Sequence, residues 1–405
     1  MQFGIERFQE MIRPSRQSLW LPELCRKRIR GYADSIMELS KELNIPDAGI
    51  GFDRQSVLEG RILAENRDLL CDSLNTIAEL MENVAEEISS YIPLETRKRK
   101  LVTNALREEG IKVKDAYYLP KEKGKTGIGL DMYCYSTERI PLQRISDLLS
   151  VILRKNLQPS ISGSEYIDRE EKVYVFVEEA PFLVMTGFSK VTKNNESISG
   201  DNYSVLDSED GKTDILISDG TGSGEEAFNN SRKVIELLEK MLEAGYDRRK
   251  AVKMLNMAFC AIEQEKNHPT LDLCSVDLYD GSCQIMKFGA AATFLKRGMD
   301  VEILSGVSLP LGMTRNISVN EIHSQLRDGD FLIMMTDGVL DALDEQEYEV
   351  TMQKIISTVT EQNPEGIAER ILQTVLCLDG GRILDDMMVL TAGFWKDTRK
   401  ERHIN

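Results

Sequence analysis

The sequence predicts a chain of mixed helix and strand spread over two or three domains. Three observations carry that reading. Its 405 residues exceed what one hydrophobic core ordinarily organises. Short apolar runs such as Asp214-Ile215-Leu216-Ile217-Ser218-Asp219 and Phe331-Leu332-Ile333-Met334-Met335 close on an acid and a glycine, and read as buried strands running into turns. Other stretches carry apolar residues at helical spacing.

In chain order, residues 1–92 form a helical N-terminal segment. Pro14 and Pro22 punctuate an irregular start, and Ile29, Tyr32, Ile36, Leu39 and Leu43 mark a helix from Cys25 to Leu43. Pro46 to Asp53 is a turn. Leu70, Leu74, Ile77, Met81, Val84, Ile88 and Tyr91 then alternate by four and three, a heptad seam. Such a seam serves a helix folded back on its neighbour, a homodimer, or a rod that transmits position; the sequence leaves all three open.

Residues 93–190 read as an α/β module. A helix from Arg97 to Glu109 opens with Arg97-Lys98-Arg99-Lys100, a solvated face or a partner-binding one. Strands follow at 110–113 and 127–133, then a helix from Ile145 to Leu153, then strands at 172–177 and 182–185. Without a catalytic constellation, the module is most simply regulatory. A third region, 191–398, holds two amphipathic helices. Val234, Leu237, Leu238, Met241 and Leu242 mark the first, which ends near Gly245; the second runs from Arg248 to Phe259.

Composition excludes several functions. A formal net charge of −17 argues against a nucleic-acid partner, which wants a basic face. The seven cysteines include no CxxC pair, which suits reduced thiols in a cytoplasmic protein. None of the three histidines, His268, His323 and His403, sits beside a motif acid, which weakens any histidine-based hydrolase. No apolar stretch reaches the roughly 18–20 residues that span a bilayer, and no signal peptide opens the chain. Gly220 to Gly224 superficially resembles a phosphate-cradling loop. A dinucleotide fingerprint, however, needs a strand and an acid about 20 residues beyond, where this chain has helix after helix.

A strand that ends in Asp-Gly is ordinarily just a turn. Here the device recurs. Ser218-Asp219-Gly220 and Thr336-Asp337-Gly338 each close an apolar run, Asp385-Asp386 open another at Met387, and Asp201 precedes the strand pair that leads to Asp219. If these strand ends converge, two carboxylates about 4 Å apart repel by roughly 4 kcal/mol at an effective dielectric near 20. Three such pairs approach the roughly 5–15 kcal/mol net stability of a domain. A convergent cluster must hold protons or cations. All-oxygen donors without histidine or thiol favour Mg²⁺ or Mn²⁺ over zinc.

The ordered set Ser199-Gly200-Asp201, Ser218-Asp219-Gly220-Thr221-Gly222-Ser223-Gly224, Thr270-Leu271-Asp272-Leu273, Gly289, Leu309-Pro310-Leu311-Gly312, Thr336-Asp337-Gly338 and Asp385-Asp386-Met387 resembles the metal-dependent protein phosphatase (PPM) family. Its sporulation branch, represented by stage II sporulation protein E, is the best match, over roughly residues 195–395. The resemblance implies an α+β fold: a PPM α-β-β-α sandwich, preceded by the helical segment and a regulatory domain. It implies two Mn²⁺ or Mg²⁺ ions, with Asp219 bridging them, the Gly220 carbonyl on one, and Asp337 and Asp385 on the other. Asp201 and Asp386 would complete the metal set, and Asp219, Asp337 and Asp385 are the catalytic acids. The helix pair becomes a regulatory switch acting through Thr221, Gly222, Val234, Leu238 and Met241.

The implied activity is a serine/threonine protein phosphatase that dephosphorylates an anti-sigma-factor antagonist and so frees a sporulation sigma factor. A stress-response phosphatase of the same family, or a catalytically idle scaffold, are the alternatives. Cell-division proteins enter as partners by resemblance only. Family members of this type carry a membrane region ahead of a cytosolic part, so the chain is expected to be that cytosolic part or a soluble relative. Two departures stand out. Thr221 occupies the place of a histidine in the eukaryotic branch and of a methionine in the sporulation branch, and Met388 replaces a threonine.

Overall fold

The computed structural model describes residues 29–41, 67–68, 70–82, 92–120, 126–135, 139–160, 165–194, 196–208, 210–220, 222, 224–261, 268–306, 308–314, 317–343 and 347–397. The chain divides into two compact units, Met1–Glu179 and Ala180–Asn405.

In the first unit, helices α1 (29–41) and α2 (70–82) meet through small residues. The Ser40 hydroxyl donates to the Cys71 carbonyl and the Cys71 thiol to the Ser40 carbonyl, both at 3.2 Å. Ala33 and Ala78 are fully buried, whereas Leu70 of the apolar seam is half exposed. The seam's last three positions, Val84, Ile88 and Tyr91, lie outside the described residues. The α/β module follows as β1 (Ile92–Pro93), α3 (Thr96–Glu108), β2 (Ile111–Pro120), β3 (Thr126–Cys134), α4 (Leu142–Leu153), β4 (Leu157–Pro159) and β5 (Lys172–Glu178). Its strands run in the order β1-β2-β3-β5-β4. Val102 and Leu106 of α3, and Ile145 and Leu149 of α4, pack on Ile128, Leu130, Met132 and Phe176 to make one core.

The second unit has four layers. One sheet joins β7 (Asp201–Asp207), β8 (Lys212–Asp219), β9 (Leu271–Asp277), β10 (Ser282–Phe288) and β13 (Glu321–Gln325). The other joins β6 (Phe182–Val191), β15 (Met387–Lys396), β14 (Asp330–Met335), β11 (Thr293–Arg297) and β12 (Asp300–Leu304). Every neighbouring pair in the two sheets is antiparallel.

The uninterrupted apolar runs are explained by burial on both faces, since successive strand side chains point to opposite sides. Ile215 and Ile217 point between the sheets, where they meet Leu332, Met334, Met388 and Leu390. Leu216, between them, points outward against Val234, Leu238 and Leu255 of α5 (Gly224–Glu243) and α6 (Arg248–Ala261). On the far side Ile333, Met335 and Val389 meet Met352, Ile356, Ile367 and Ile371 of α8 (Tyr348–Thr358) and α9 (Pro364–Leu378). Local chemistry sets the helix ends. Glu225 and Glu226 sit in the first turn of α5 and Lys240 in its last, the charge order its dipole favours. Asn363 caps α9 by accepting from the Gly366 amide at 2.6 Å, with Pro364 in the first turn.

The expected division at 190/191 moves to 179/180. Phe182–Val191 is not the end of the first unit but the edge strand β6, paired along its length with β15. It also carries the start of α9, so close that a Cβ on Gly187 would stand 2.2 Å from the Glu365 amide. Among the described residues no helix is long and apolar enough to cross a membrane.

Candidate active site

The acidic strand ends meet at one end of the two sheets. Asp201 opens β7 and Asp219 closes β8, and the two stand directly opposite in register. From the other sheet, β14 ends at Met335 and turns through Thr336 into the short helix α7 (Asp337–Asp341). Thr336 ties the sheets together: its hydroxyl donates to Asp201 Oδ2 at 3.1 Å and accepts from the Met388 amide at 2.9 Å. The Lys190 ammonium of β6 donates to the Asp201 carbonyl at 2.6 Å.

Glycine is required where backbones touch. A Cβ on Gly220 would lie 1.9 Å from the Ala227 carbonyl of α5, and one on Gly338 would lie 2.1 Å from the Asp386 carbonyl. Gly222 adopts a positive φ of 101°. Thr221, beside it, lies outside the described residues, so only the Gly222 part of the expected switch turn can be placed. The other switch residues fall on one face of α5: Val234 and Leu238 are fully buried and Met241 packs beside them. That face continues to Ser231, which donates to the Gly200 carbonyl, and to Ala227 against Gly220.

The carboxylates grade from buried to open. Asp201 is wholly buried, Asp219 partly so, Asp385 is half exposed with Lys193 at 3.9 Å, and Asp337 lies at the surface. Their electrostatics record the proximity. Burial, then the charges of Asp201 and Asp337, a hydrogen bond with Asp337 and the charge of Asp385, push the Asp219 acid up to about 10. Burial pushes Asp201 up to about 7, against the pull of Lys190 and Thr336. Asp385 is raised mainly by burial, and burial lowers Lys190. Asp386 has a different task. It is buried, and its two oxygens accept from the Lys193 amide at 2.8 Å and the Gly200 amide at 2.7 Å.

Among the described residues no three acidic, imidazole or thiol groups stand close enough together to enclose an ion. The donor set still fits a hard divalent cation. Every donor is oxygen, Asp219 and Asp337 reach each other, and Asp201 Oδ1 is buried with no hydrogen-bond partner among the described residues. Thr270 was quoted in a motif but not foreseen as a brace. Its hydroxyl accepts from the Asp219 amide at 3.0 Å, its amide donates to the Asp219 carbonyl at 2.9 Å, and its carbonyl accepts from Ser218 at 2.7 Å. Thr336 likewise stood in a quoted motif without a role, and Lys190 was missed; a lysine just inside a strand end carries no signal of its own until its partner strand is known.

Two stacked antiparallel sheets between helical layers, with acids gathered at one end, are the architecture of a PP2C-type phosphatase domain. The solved PP2C phosphatase domain, with a fragment of the regulatory domain, of the cell fate determinant SpoIIE from Bacillus subtilis shares it at a TM-score of 0.62. That structure is 26% identical, and the match covers 85% of this chain and 100% of that one. The sequence profile of stage II sporulation protein E matches residues 209–395. The stage II sporulation protein E of Priestia megaterium is 28% identical over 346 residues, 84% of this chain and 58% of its own length. That of Bacillus subtilis (strain 168) is 28% identical over 343 residues, 83% of this chain and 41% of its own. Residues 209–395 thus carry a stage II sporulation protein E domain, and the chain spans about half the length of these curated relatives.

Proposed function

We propose that the chain is a divalent-cation-dependent phosphatase acting on phosphoserine or phosphothreonine in a protein. The phosphorylated anti-sigma-factor antagonist of a sporulation sigma factor is the substrate that the family resemblance favours. The observation that carries the reading is the approach of Asp219 and Asp337 from two different sheets, with Asp201 opposite, at a solvent-accessible sheet end.

In this reading Asp219, Asp337 and Asp385 would hold the cations with the Gly220 carbonyl, and Asp201 would contribute its Oδ1. Asp386 belongs to the brace, because its oxygens already hold the Lys193 and Gly200 amides. Two Mn²⁺ or Mg²⁺ ions would quiet the carboxylate repulsion, orient the phosphoryl oxygens and make a water acidic enough to attack in line. Thr270 and Thr336 fix the two strand ends, and the glycines let the backbones approach. No serine or cysteine nucleophile would be required, because the attacking group would be water.

Hydrolysis of p-nitrophenyl phosphate with added Mn²⁺ tests this. The wild type should turn over, and Asp219→Ala should lose more than the about hundredfold that an outer-shell change costs. Turnover untouched by the substitution would sink the reading. No turnover at any Mn²⁺ level in a folded protein would favour the idle scaffold.

A further inference from the structure

A charged pair is buried in the second unit and has no part in the reading above. Lys287 of β10 and Asp272 of β9 stand opposite in register, and their side chains are 1% and 2% exposed. The Lys287 ammonium is fully supplied with acceptors. It donates to Asp272 Oδ2, to the Ala291 carbonyl at 2.6 Å and to the Thr293 hydroxyl at 2.8 Å. The Thr293 hydroxyl in turn donates to Asp272 Oδ2 at 3.0 Å. Asp272 Oδ1, by contrast, is buried and accepts nothing from the described residues.

A buried ion pair is generally no more stable than apolar side chains of the same volume, and an orphaned carboxylate oxygen makes the balance worse. Stability therefore does not explain the arrangement. Its position does. Asp272 lines a small pocket together with Asp219, Thr270, Thr336, Asp337 and the turn at Gly289. Thr270, two residues earlier, is bonded to the Asp219 backbone in both directions. One strand start thus brings a brace for Asp219 and an unused carboxylate oxygen to the same pocket. Small hard cations keep several waters and take only one or two carboxylates directly. A carboxylate just beyond that reach can bind the hydrated ion by accepting from its waters.

We propose that Asp272 is a positioning residue for the divalent cation of this site, its Oδ1 accepting from pocket water while Lys287 and Thr293 fix the carboxylate. The inference rests on the cation-dependent reading above. Its test reads Mn²⁺ affinity by titration calorimetry on the full chain, with the melting temperature in chelator measured alongside. Asp272→Asn keeps the shape and removes the charge; Asp272→Leu with Lys287→Met removes the pair in favour of apolar atoms, an exchange that buried ion pairs tolerate in folding. Both variants should bind Mn²⁺ about ten- to a hundredfold more weakly than wild type; the double variant should do so at a chelated melting temperature no lower than that of wild type, whereas Asp272→Asn, which leaves Lys287 without its counter-charge, should melt lower. Wild-type affinity in either folded variant overturns the proposal, and so does a loss of affinity in the double variant that merely follows a loss of its chelated stability. A wild type that binds no Mn²⁺ overturns the cation reading beneath it as well.

Discussion

Asp219 sits where burial and the charges of Asp201, Asp337 and Asp385 all act in one direction on its proton. Asp201 is raised to about 7 and Asp219 to about 10, whereas an unfolded carboxylate titrates near about 4. Folded-state values above unfolded ones mean that the folded chain binds more protons between them. The stability these acids contribute is full below about pH 4 and is lost as pH rises through about 7 and on toward about 10. Lys190, lowered by burial, works the opposite way toward the alkaline end. In chelator the melting temperature should therefore fall between about pH 5 and about pH 8, and saturating Mn²⁺ should flatten that slope. A chelated protein that grows more stable over the same interval contradicts this account of the acids.

The residues that sequence reading found are those whose role is announced by context: a carboxylate closing an apolar run beside a glycine. The residues it missed look ordinary in one dimension. Lys287 in Gln284-Ile285-Met286-Lys287-Phe288 is in one dimension a lone charge in an apolar run, and only the pairing of β10 with β9 sets it against Asp272. Asp386 carried the same signal as Asp385, yet folding gives one to backbone amides and leaves the other half exposed.

At the scale of elements, α5 is the helix packed on the backbone that carries the acids. Ala227 and Ser231 touch the backbone at Gly220 and Gly200, and Val234 and Leu238 extend that face over Leu216 of the strand that ends in Asp219. A shift of α5 is thereby a shift of the turn. Leu238→Ala should cost about 2–5 kcal/mol, and Ile371→Ala on α9, equally buried in the opposite outer layer, should cost a similar amount. Only Leu238→Ala should also weaken Mn²⁺ binding by more than about threefold, on the local coupling of packed neighbours. Equal losses of affinity in the two variants would remove α5 from its special role. Element boundaries were legible where a helix or strand carries its own period, and less so where a distant partner decides. β6 seemed to belong with the strands just before it, because β15, which pairs with it, lies at the other end of the unit. In α2 the apolar heptad drew attention to Leu70, while Cys71 and Ala78 make the tight line, since close helix approach selects small residues.

At the scale of the whole molecule, two sheets that each bury both faces bring strand ends from Asp201 to Asp386 to one edge, and the inter-sheet core of Ile215, Met334 and Leu390 holds them there. From the residues alone that convergence was readable only as a condition, with a counter-charge as its consequence; its three-dimensional form came from the family resemblance and is the fold observed. The most direct measurement is anomalous diffraction from a crystal of the chain soaked in Mn²⁺. Density should appear bounded by Asp219, the Gly220 carbonyl and Asp337, with Asp385 drawn in from its half-exposed position. A saturating soak that leaves this pocket without an anomalous peak, while the same protein hydrolyses a phosphate ester, would contradict the account.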